Sequence, residues 1–111
     1  MKIILAARRC EVNDALEEVI HREFRRLARF EPRVERAEVT LLKERYVYRI
    51  EAHVTVAGAG SVNAHEEGPD LRTTLDRVVE KLARQLRRSR TRRRDHQGPP
   101  KDVMAFEEKE A

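Results

Sequence analysis

Apolar and polar residues alternate regularly in several parts of the chain, and this pattern predicts strands. The clearest case runs from Val47 to Val56, where Ile50, Ala52 and Val54 share one face and charged or polar residues share the other. A strand with one buried and one wet face requires such a period of two. The apolar run centred on Ile4 predicts a short buried strand. Four strands are predicted in all, at residues 2–7, 35–43, 47–56 and about 61–66.

Two other segments carry apolar residues at helical spacing. The first is predicted over residues 14–29, after Asn13 as N-cap and before Glu31-Pro32, which disfavours further helix. The second starts after Asp70, a second candidate N-cap, and extends at least to Arg88.

The order of these elements predicts the fold class. A β-α-β-β-β-α order with one apolar sheet face predicts an α+β sandwich of two layers, a four-stranded sheet with both helices packed on one face. We expect this domain to occupy residues 1–94. Residues 95–111 contain Gly98-Pro99-Pro100 and end in acids, which predicts a flexible acidic tail.

The charge is unevenly distributed between these two parts. The chain has 24 Lys and Arg against 20 Asp and Glu, a net charge of +4. Residues 95–111 hold five acids and two bases, so they carry −3 and leave +7 for residues 1–94. A basic domain indicates a polyanionic partner, nucleic acid before membrane. With no Trp and only 5% aromatic residues, a sheet that stacks successive bases is not expected.

The bases concentrate on the predicted outer faces of the helices. On a helical wheel they fall opposite the apolar stripe, and six arginines follow within residues 87–94. Such stripes are suited to contacting RNA phosphates. The candidate RNA-binding residues are Arg8, Arg22, Arg25, Arg26, Arg29, Arg77, Lys81, Arg84, Arg87, Arg88, Arg90 and Arg92.

Three plainer interpretations compete with RNA binding. The stripes can be ordinary solvated faces in which arginines pair with nearby acids such as Glu17 and Glu80 across one helical turn. The run after Leu86 can be only a disordered basic arm, although such an arm would still favour RNA or another polyanion. A basic amphipathic helix can also lie on an anionic membrane, although the apolar faces here are committed to the sheet.

The sequence contains no arrangement typical of an enzyme. His21, His53, His65 and His96 lack metal-ligand spacing with one another and with Cys10, the single cysteine, which is expected to be half-buried and structural. No phosphate-binding glycine loop or nucleophile motif is present. We therefore expect no cofactor, no metal and no small-molecule substrate. The N-terminal apolar run is too short for a signal peptide, so a cytoplasmic location is expected.

Two stretches of the chain form recognisable motifs. The first stretch is Arg8-Arg9-Cys10-Glu11-Val12-Asn13-Asp14-Ala15-Leu16. The second is Asp70-Leu71-Arg72-Thr73-Thr74-Leu75-Asp76 followed by Lys81-Leu82-Ala83-Arg84-Gln85-Leu86-Arg87-Arg88. Together they resemble the family of ribosome hibernation-promoting factors and ribosome-associated translation inhibitors. The resemblance covers roughly residues 1–90. Arg72 departs from the pattern, since an aromatic residue is usual there, and it adds charge.

The resemblance implies a layout similar to double-stranded-RNA-binding domains and a short-form factor, without the C-terminal dimerisation domain of long forms. It implies binding to the small ribosomal subunit, where the protein overlaps the positions of the messenger and of A- and P-site transfer RNA. A non-enzymatic factor, monomeric off the ribosome, is expected. A general double-stranded-RNA-binding module or a constitutive ribosomal protein is the alternative.

Overall fold

The computed structural model describes the backbone of residues 1–97 and the side chains of residues 1–90. Its elements follow the predicted order: β1 (Lys2–Arg8), α1 (Asp14–Arg25), a 3₁₀ helix (Arg26–Arg29), β2 (Val34–Glu44), β3 (Val47–Val56), β4 (Gly60–Gly68) and α2 (Leu71–Gln97). Most of the predicted acidic tail, residues 98–111, lies outside the described residues. So does the side chain of Arg92.

The four strands form one mixed sheet in the spatial order β1-β2-β3-β4. β1 runs parallel to β2, and the chain connects the two strands through α1 and the 3₁₀ helix. β2, β3 and β4 follow one another as two antiparallel hairpins. Pairs such as Leu41 with Ile50 and Ala52 with Ala64 stand opposite each other. This register keeps the alternating apolar residues of neighbouring strands on the same face.

Both helices cover that apolar face, as predicted, and the opposite face is open to solvent. Phe24, Leu27, Val78 and Leu82 are fully buried and join the helices to the sheet in one cluster. The other buried apolar residues are Ile20, Val34, Ala37, Val39, Leu41, Ile50, Ala52, Val54, Val56, Ala64, Leu75, Val79, Ala83 and Leu86.

Two predictions about the N-terminal elements were wrong in detail. β1 is not a buried strand, because it lies at the sheet edge with a single neighbour, and Ile4 on its open face is 37% exposed. The first helix does not continue as an α-helix to Arg29. It ends at Arg25, and the last turn tightens into the 3₁₀ helix, where Phe30 N–H donates to Leu27 O at 3.0 Å.

Both predicted N-caps form. Asn13 Oδ1 accepts from Leu16 N–H at 2.8 Å and starts α1. At α2, Asp70 Oδ2 accepts from Thr73 N–H at 2.9 Å and also from the Thr73 hydroxyl. These bonds favour the ionised carboxylate and hold the pKa of Asp70 below its usual value. No helix within residues 1–97 is long and apolar enough to cross a membrane.

Candidate nucleic-acid interface

A groove with a basic wall lies where α2 packs beside β4. It has a volume of about 560 Å³. Lys81, Arg84 and Arg88 of α2 line one side, at the spacing of one helical turn, and the other side is formed by Ser61 to His65 of β4. Arg84 and Arg88 are exposed and form no ion pair with a described residue. We call this feature the β4 groove.

Side chains of α2 fix the groove by bonding to the backbone of the edge strand. Gln85 Nε2 donates to Asn63 O at 2.7 Å, and Lys81 Nζ donates to His65 O at 3.4 Å. These two carbonyls belong to alternate residues of β4, on the side that has no neighbouring strand. The bonds therefore satisfy edge acceptors that would otherwise face water or another chain.

One acid is placed in this basic region. Glu66 Oε2 lies 2.7 Å from Lys81 Nζ. The hydrogen bond from Lys81 lowers the pKa of Glu66, and the charges of Lys81 and Arg77 add to the effect. Lys81 is thus partly neutralised, whereas Arg84 and Arg88 keep their full charge toward a ligand.

Helix α1 and the adjoining 3₁₀ helix carry a second set of open cations. Arg22, Arg25 and Arg29 are exposed, and none pairs with an acid among the described residues. Arg8, at the end of β1, is also exposed and unpaired within that part of the chain. Helical spacing predicted the grouping of Arg22, Arg25 and Arg29, and the structure leaves their side chains and that of Arg8 exposed.

The surface between the two helices is different, because its cations are bound to acids. Glu23 is only 5% exposed and lies 2.8 Å from Arg26 and 3.1 Å from Arg72. Arg72 also donates to Asp76 at 3.1 Å, and this bond raises the pKa of its guanidinium. Arg72, which stands where an aromatic residue is usual in the resembling family, here links α2 to α1. We call this region the interhelix groove; Arg87 and Glu80 also line it.

Two further arginines of α2 contact Phe30, which follows the 3₁₀ helix. The guanidinium of Arg87 lies 5.0 Å from the centroid of the Phe30 ring, within the range of a cation–π interaction. Arg90 Nη1 donates to Phe30 O at 3.3 Å. These contacts tie the C-terminal half of α2 to the end of the first helical segment.

The predicted binding residues therefore fall into groups with different surroundings. Those that are exposed and without an acidic partner in residues 1–90 are Arg8, Arg22, Arg25, Arg29, Arg84 and Arg88. Arg77 is exposed, and its positive charge helps to lower the pKa of Glu66. Those with internal contacts are Arg26, Lys81, Arg87 and Arg90.

Glu23 and Gln85 were not predicted from the sequence. Glu23 could have been found, because it stands between Ile20, Phe24 and Leu27 on the apolar side of α1, where a carboxylate needs a cationic partner. The role of Gln85 depends on its packing against β4, which helical spacing does not reveal.

Two arginines on the open face of the sheet are paired with acids. Arg49 donates to Glu51 at 2.8 Å and to Glu67 at 2.6 Å, which raises its pKa. Arg36 lies 2.6 Å from Glu38. Arg36 and Arg49 are therefore less available to a ligand than the unpaired arginines of α1, the 3₁₀ helix and α2.

Residues that could carry other chemistry are dispersed. Within the described residues no group of three or more His, Cys, Asp or Glu side chains is placed to hold a metal ion. Cys10 is half-buried, as predicted, with Sγ 3.9 Å from Leu41 O. His53 Nδ1 contacts Asn63 Oδ1 across neighbouring strands on the open face.

Fold and site together define a small α+β domain with an arginine-rich helical side. The chain belongs to the family described as Sigma 54 modulation protein / S30EA ribosomal protein, whose profile matches residues 3–94. The resemblance seen in the two sequence stretches is confirmed by this match.

Curated relatives share this assignment. The chain is 29% identical over 96 residues to the ribosome hibernation promoting factor of Salmonella typhimurium, covering 86% of this chain and 100% of that protein. The protein of the same name from Azotobacter vinelandii is 31% identical over 86 residues, covering 78% of this chain and 79% of its own.

Solved structures show the same fold. The N-terminal domain of Thermus thermophilus Protein Y superposes with a TM-score of 0.73 at 33% identity, covering 79% of this chain and 98% of that one. A ribosomal subunit interface protein from Coxiella burnetii superposes with a TM-score of 0.75 over 82% of this chain and 99% of its own. At 21% identity, the second likeness concerns the fold alone.

Proposed function

We propose that this protein is a ribosome hibernation factor that binds the small ribosomal subunit through its helical side. There it would cover the positions of the messenger and of A- and P-site transfer RNA. The observation that carries the proposal is the β4 groove, where Arg84 and Arg88 stand one turn apart, exposed and without an acidic partner among the described residues. Membership of this family supports the ribosome as the polyanionic partner.

The arginines suit phosphate contacts more than base recognition. Guanidinium groups bind phosphate oxygens in bidentate fashion, and such contacts position a protein on RNA without reading its sequence. Arg22, Arg25 and Arg29 offer a second row on the neighbouring helix. We assign the direct phosphate contacts to these unpaired residues with Arg8, Arg77, Arg84 and Arg88, and to Arg92.

Arg26, Lys81, Arg87 and Arg90 would support the same surface, because their internal contacts fix the two helices and β4. The action is steric: a rigid domain occupies the site, and no bond of a substrate is made or broken. The protein would work as a cytoplasmic monomer without a cofactor. Residues 1–94 would suffice for binding, and residues 95–111 would extend along the messenger path.

The test is competition on purified small subunits. Empty subunits should bind the labelled protein, and subunits loaded with messenger and P-site transfer RNA should bind it weakly. Affinity should fall steeply as salt rises, since each neutralised phosphate releases counterions. Equal binding to empty and loaded subunits would contradict occlusion, and equal binding to any RNA duplex would favour a general double-stranded-RNA-binding module.

A truncation addresses the tail separately. Removing residues 101–111 should leave subunit affinity nearly unchanged and weaken inhibition of cell-free translation. If the shortened protein binds RNA more tightly, the acidic tail competes with RNA instead of obstructing the messenger.

A further inference from the structure

The hairpin between β2 and β3 exposes an aromatic ring that the fold does not use. Glu44 pairs with Val47, so Arg45 and Tyr46 form a two-residue turn. Tyr46 is 86% exposed, far more than any other large apolar or aromatic residue among those described. An aromatic side chain at such a position gains little from packing, and its ring is accessible to a partner.

Several cations lie at this end of the sheet. Arg45 and Arg8 are exposed and make no ion pair with a described residue, and Arg8 belongs to the end of β1, which pairs with the end of β2. Arg9 Nη1 lies 3.7 Å from Glu44 Oε2, and Lys43 Nζ lies 5.2 Å from the centroid of the Tyr48 ring. We call Arg8, Arg9 and the segment 43–46 the hairpin corner; it holds four cations and one acid.

The backbone of the corner is strained at two arginines. Arg9 and Arg45 have φ angles of 58° and 56°, and within residues 1–97 they are the non-glycine residues in the left-handed region. Glycine would adopt this conformation more easily. At Arg45 the strained backbone keeps a cationic side chain next to Tyr46, which indicates that the side chain itself is of use.

The corner and the far end of the β4 groove lie at opposite ends of β4. Gly68, at the end of β4, pairs with Tyr48 near the hairpin, whereas Ser61 and Arg88 line the groove toward the other end of that strand. Ser61 is seven residues from Gly68 along the strand, about 23 Å at about 3.3 Å per residue, and His65, at the near end of the groove, is three residues from it, about 10 Å. A ligand that contacts the corner and the whole groove must be an extended one.

We propose that the hairpin corner is a second RNA contact, where Tyr46 stacks on an unpaired base and Arg45 and Arg8 bind the flanking phosphates. This rests on the proposed function for the identity of RNA as partner, and apart from Arg8, which both proposals use, it concerns other residues. One exposed ring can stack on a single base, whereas a sheet that stacks successive bases needs several aromatic side chains. The contact does not depend on the identity of the base, since every base has a π-face. The apolar area is too small for a protein partner, because only Val47 adjoins the ring as an exposed large apolar residue.

The first experiment asks whether a base stacks on the ring. Tyr48→Phe leaves Tyr46 as the sole tyrosine, and the chain has no Trp, so the fluorescence of the full-length protein then reports this residue alone. A short single-stranded RNA should quench it. A duplex of the same length, with its bases stacked internally, should bind but leave the fluorescence nearly unchanged. Equal quenching by both RNAs would overturn the proposal.

The second experiment measures affinity for small subunits. Tyr46→Ala should weaken binding about tenfold without changing its salt dependence, and Tyr46→Phe, which keeps the ring, should restore it. Arg45→Gly should weaken binding and lower the salt dependence by about one phosphate contact, while the protein unfolds at the same or a higher temperature. Unchanged affinity of Tyr46→Ala would overturn the proposal, as would equal losses for Tyr46→Ala and Tyr46→Phe.

The two proposals fail separately. If Tyr46→Ala weakens subunit binding but single-stranded RNA does not quench Tyr46, the ring docks on a ribosomal protein and the RNA contact is wrong. If single-stranded RNA quenches Tyr46 but subunits do not bind the protein, the proposed function is wrong and the hairpin corner remains an RNA contact.

Discussion

Helix α2 has arginines on two sides, which we call its flanks. The arginines on the flank toward α1 have partners within the protein, and those on the flank toward β4 have none among the described residues. Toward α1, the interhelix groove holds Arg72 against Glu23 and Asp76, and Arg87 against the Phe30 ring. Toward β4, Arg84 and Arg88 are exposed with no acid bound to them in the described part of the chain. Arginine thus holds the helices together on one flank and is available to a ligand on the other.

The position of acids explains the difference. A buried carboxylate such as Glu23 requires cationic partners, so arginines that would otherwise be free form ion pairs with it. Glu66, at the edge of the β4 groove, binds only Lys81 directly. The number of arginines on a helix therefore overestimates the unpaired positive charge that is available to a ligand. The acids on the neighbouring element determine how many of these arginines stay unpaired.

The largest expected effect is on the core that both flanks share. Leu82 is fully buried between them, and Leu82→Ala should lower the free energy of unfolding by about 2–5 kcal/mol. Urea denaturation followed by circular dichroism measures this. Under conditions where the variant is still folded, its subunit affinity should match that of the wild type, and a large loss there would mean that the flanks depend on exact core packing.

Charge reversal on the open flank comes next. Arg84→Glu with Arg88→Glu should weaken subunit binding by about 100-fold, the order of two lost charge-assisted hydrogen bonds, and lower the salt slope by about 2. Stability should change by about 0.5 kcal/mol or less, because both side chains face solvent.

The matched control for that variant changes the same amount of charge elsewhere. Arg36→Glu with Arg49→Glu alters the open face of the sheet, where both arginines are already paired. If this control weakens binding as much, total charge and not the β4 groove governs affinity.

A smaller effect is expected from the acid of the interhelix groove. Glu23→Gln removes the charge that Arg26 and Arg72 share but keeps the shape of the side chain. Because both arginines are about half-exposed, the loss of unfolding free energy should be only about 1 kcal/mol. Thermal unfolding and subunit titration measure the two results. Weaker subunit binding at unchanged stability would show that the interhelix groove contacts the ribosome.

Periodicity predicted most of the fold, because alternation and helical spacing record which face is buried. β3 was predicted with its observed bounds, Val47–Val56, and both N-caps were correct. β1 was misjudged, since an edge position depends on pairing with a distant segment and a three-residue apolar run does not reveal it. Likewise, spacing grouped Lys81 with Arg84 and Arg88, but only the packing of α2 on β4 shows that Glu66 binds Lys81 and leaves the others open.

The smallest effect is expected from Glu66→Gln. This variant makes the same acid-to-amide change in the β4 groove that Glu23→Gln makes in the interhelix groove, so the two variants compare the flanks directly. Glu66→Gln removes the carboxylate that holds Lys81 Nζ at 2.7 Å and so adds one free cation to the groove. Subunit affinity should rise a few-fold and the salt slope should increase by about one, the mark of one more phosphate contact.

Stability should hardly change in the Glu66 variant at neutral pH, because this pair is at the surface. The pH dependence gives a second check. Lys81 lowers the pKa of Glu66 below its ordinary 4.5, so the pair stabilises the fold above that pH and the contribution is lost as pH falls through the lowered value. Glu66→Gln should therefore flatten the acid limb of a stability profile, whereas Glu23→Gln should lower stability at neutral pH. If Glu66→Gln instead weakens RNA binding, then Glu66 positions Lys81 for phosphate, and the two flanks use their acids in the same way.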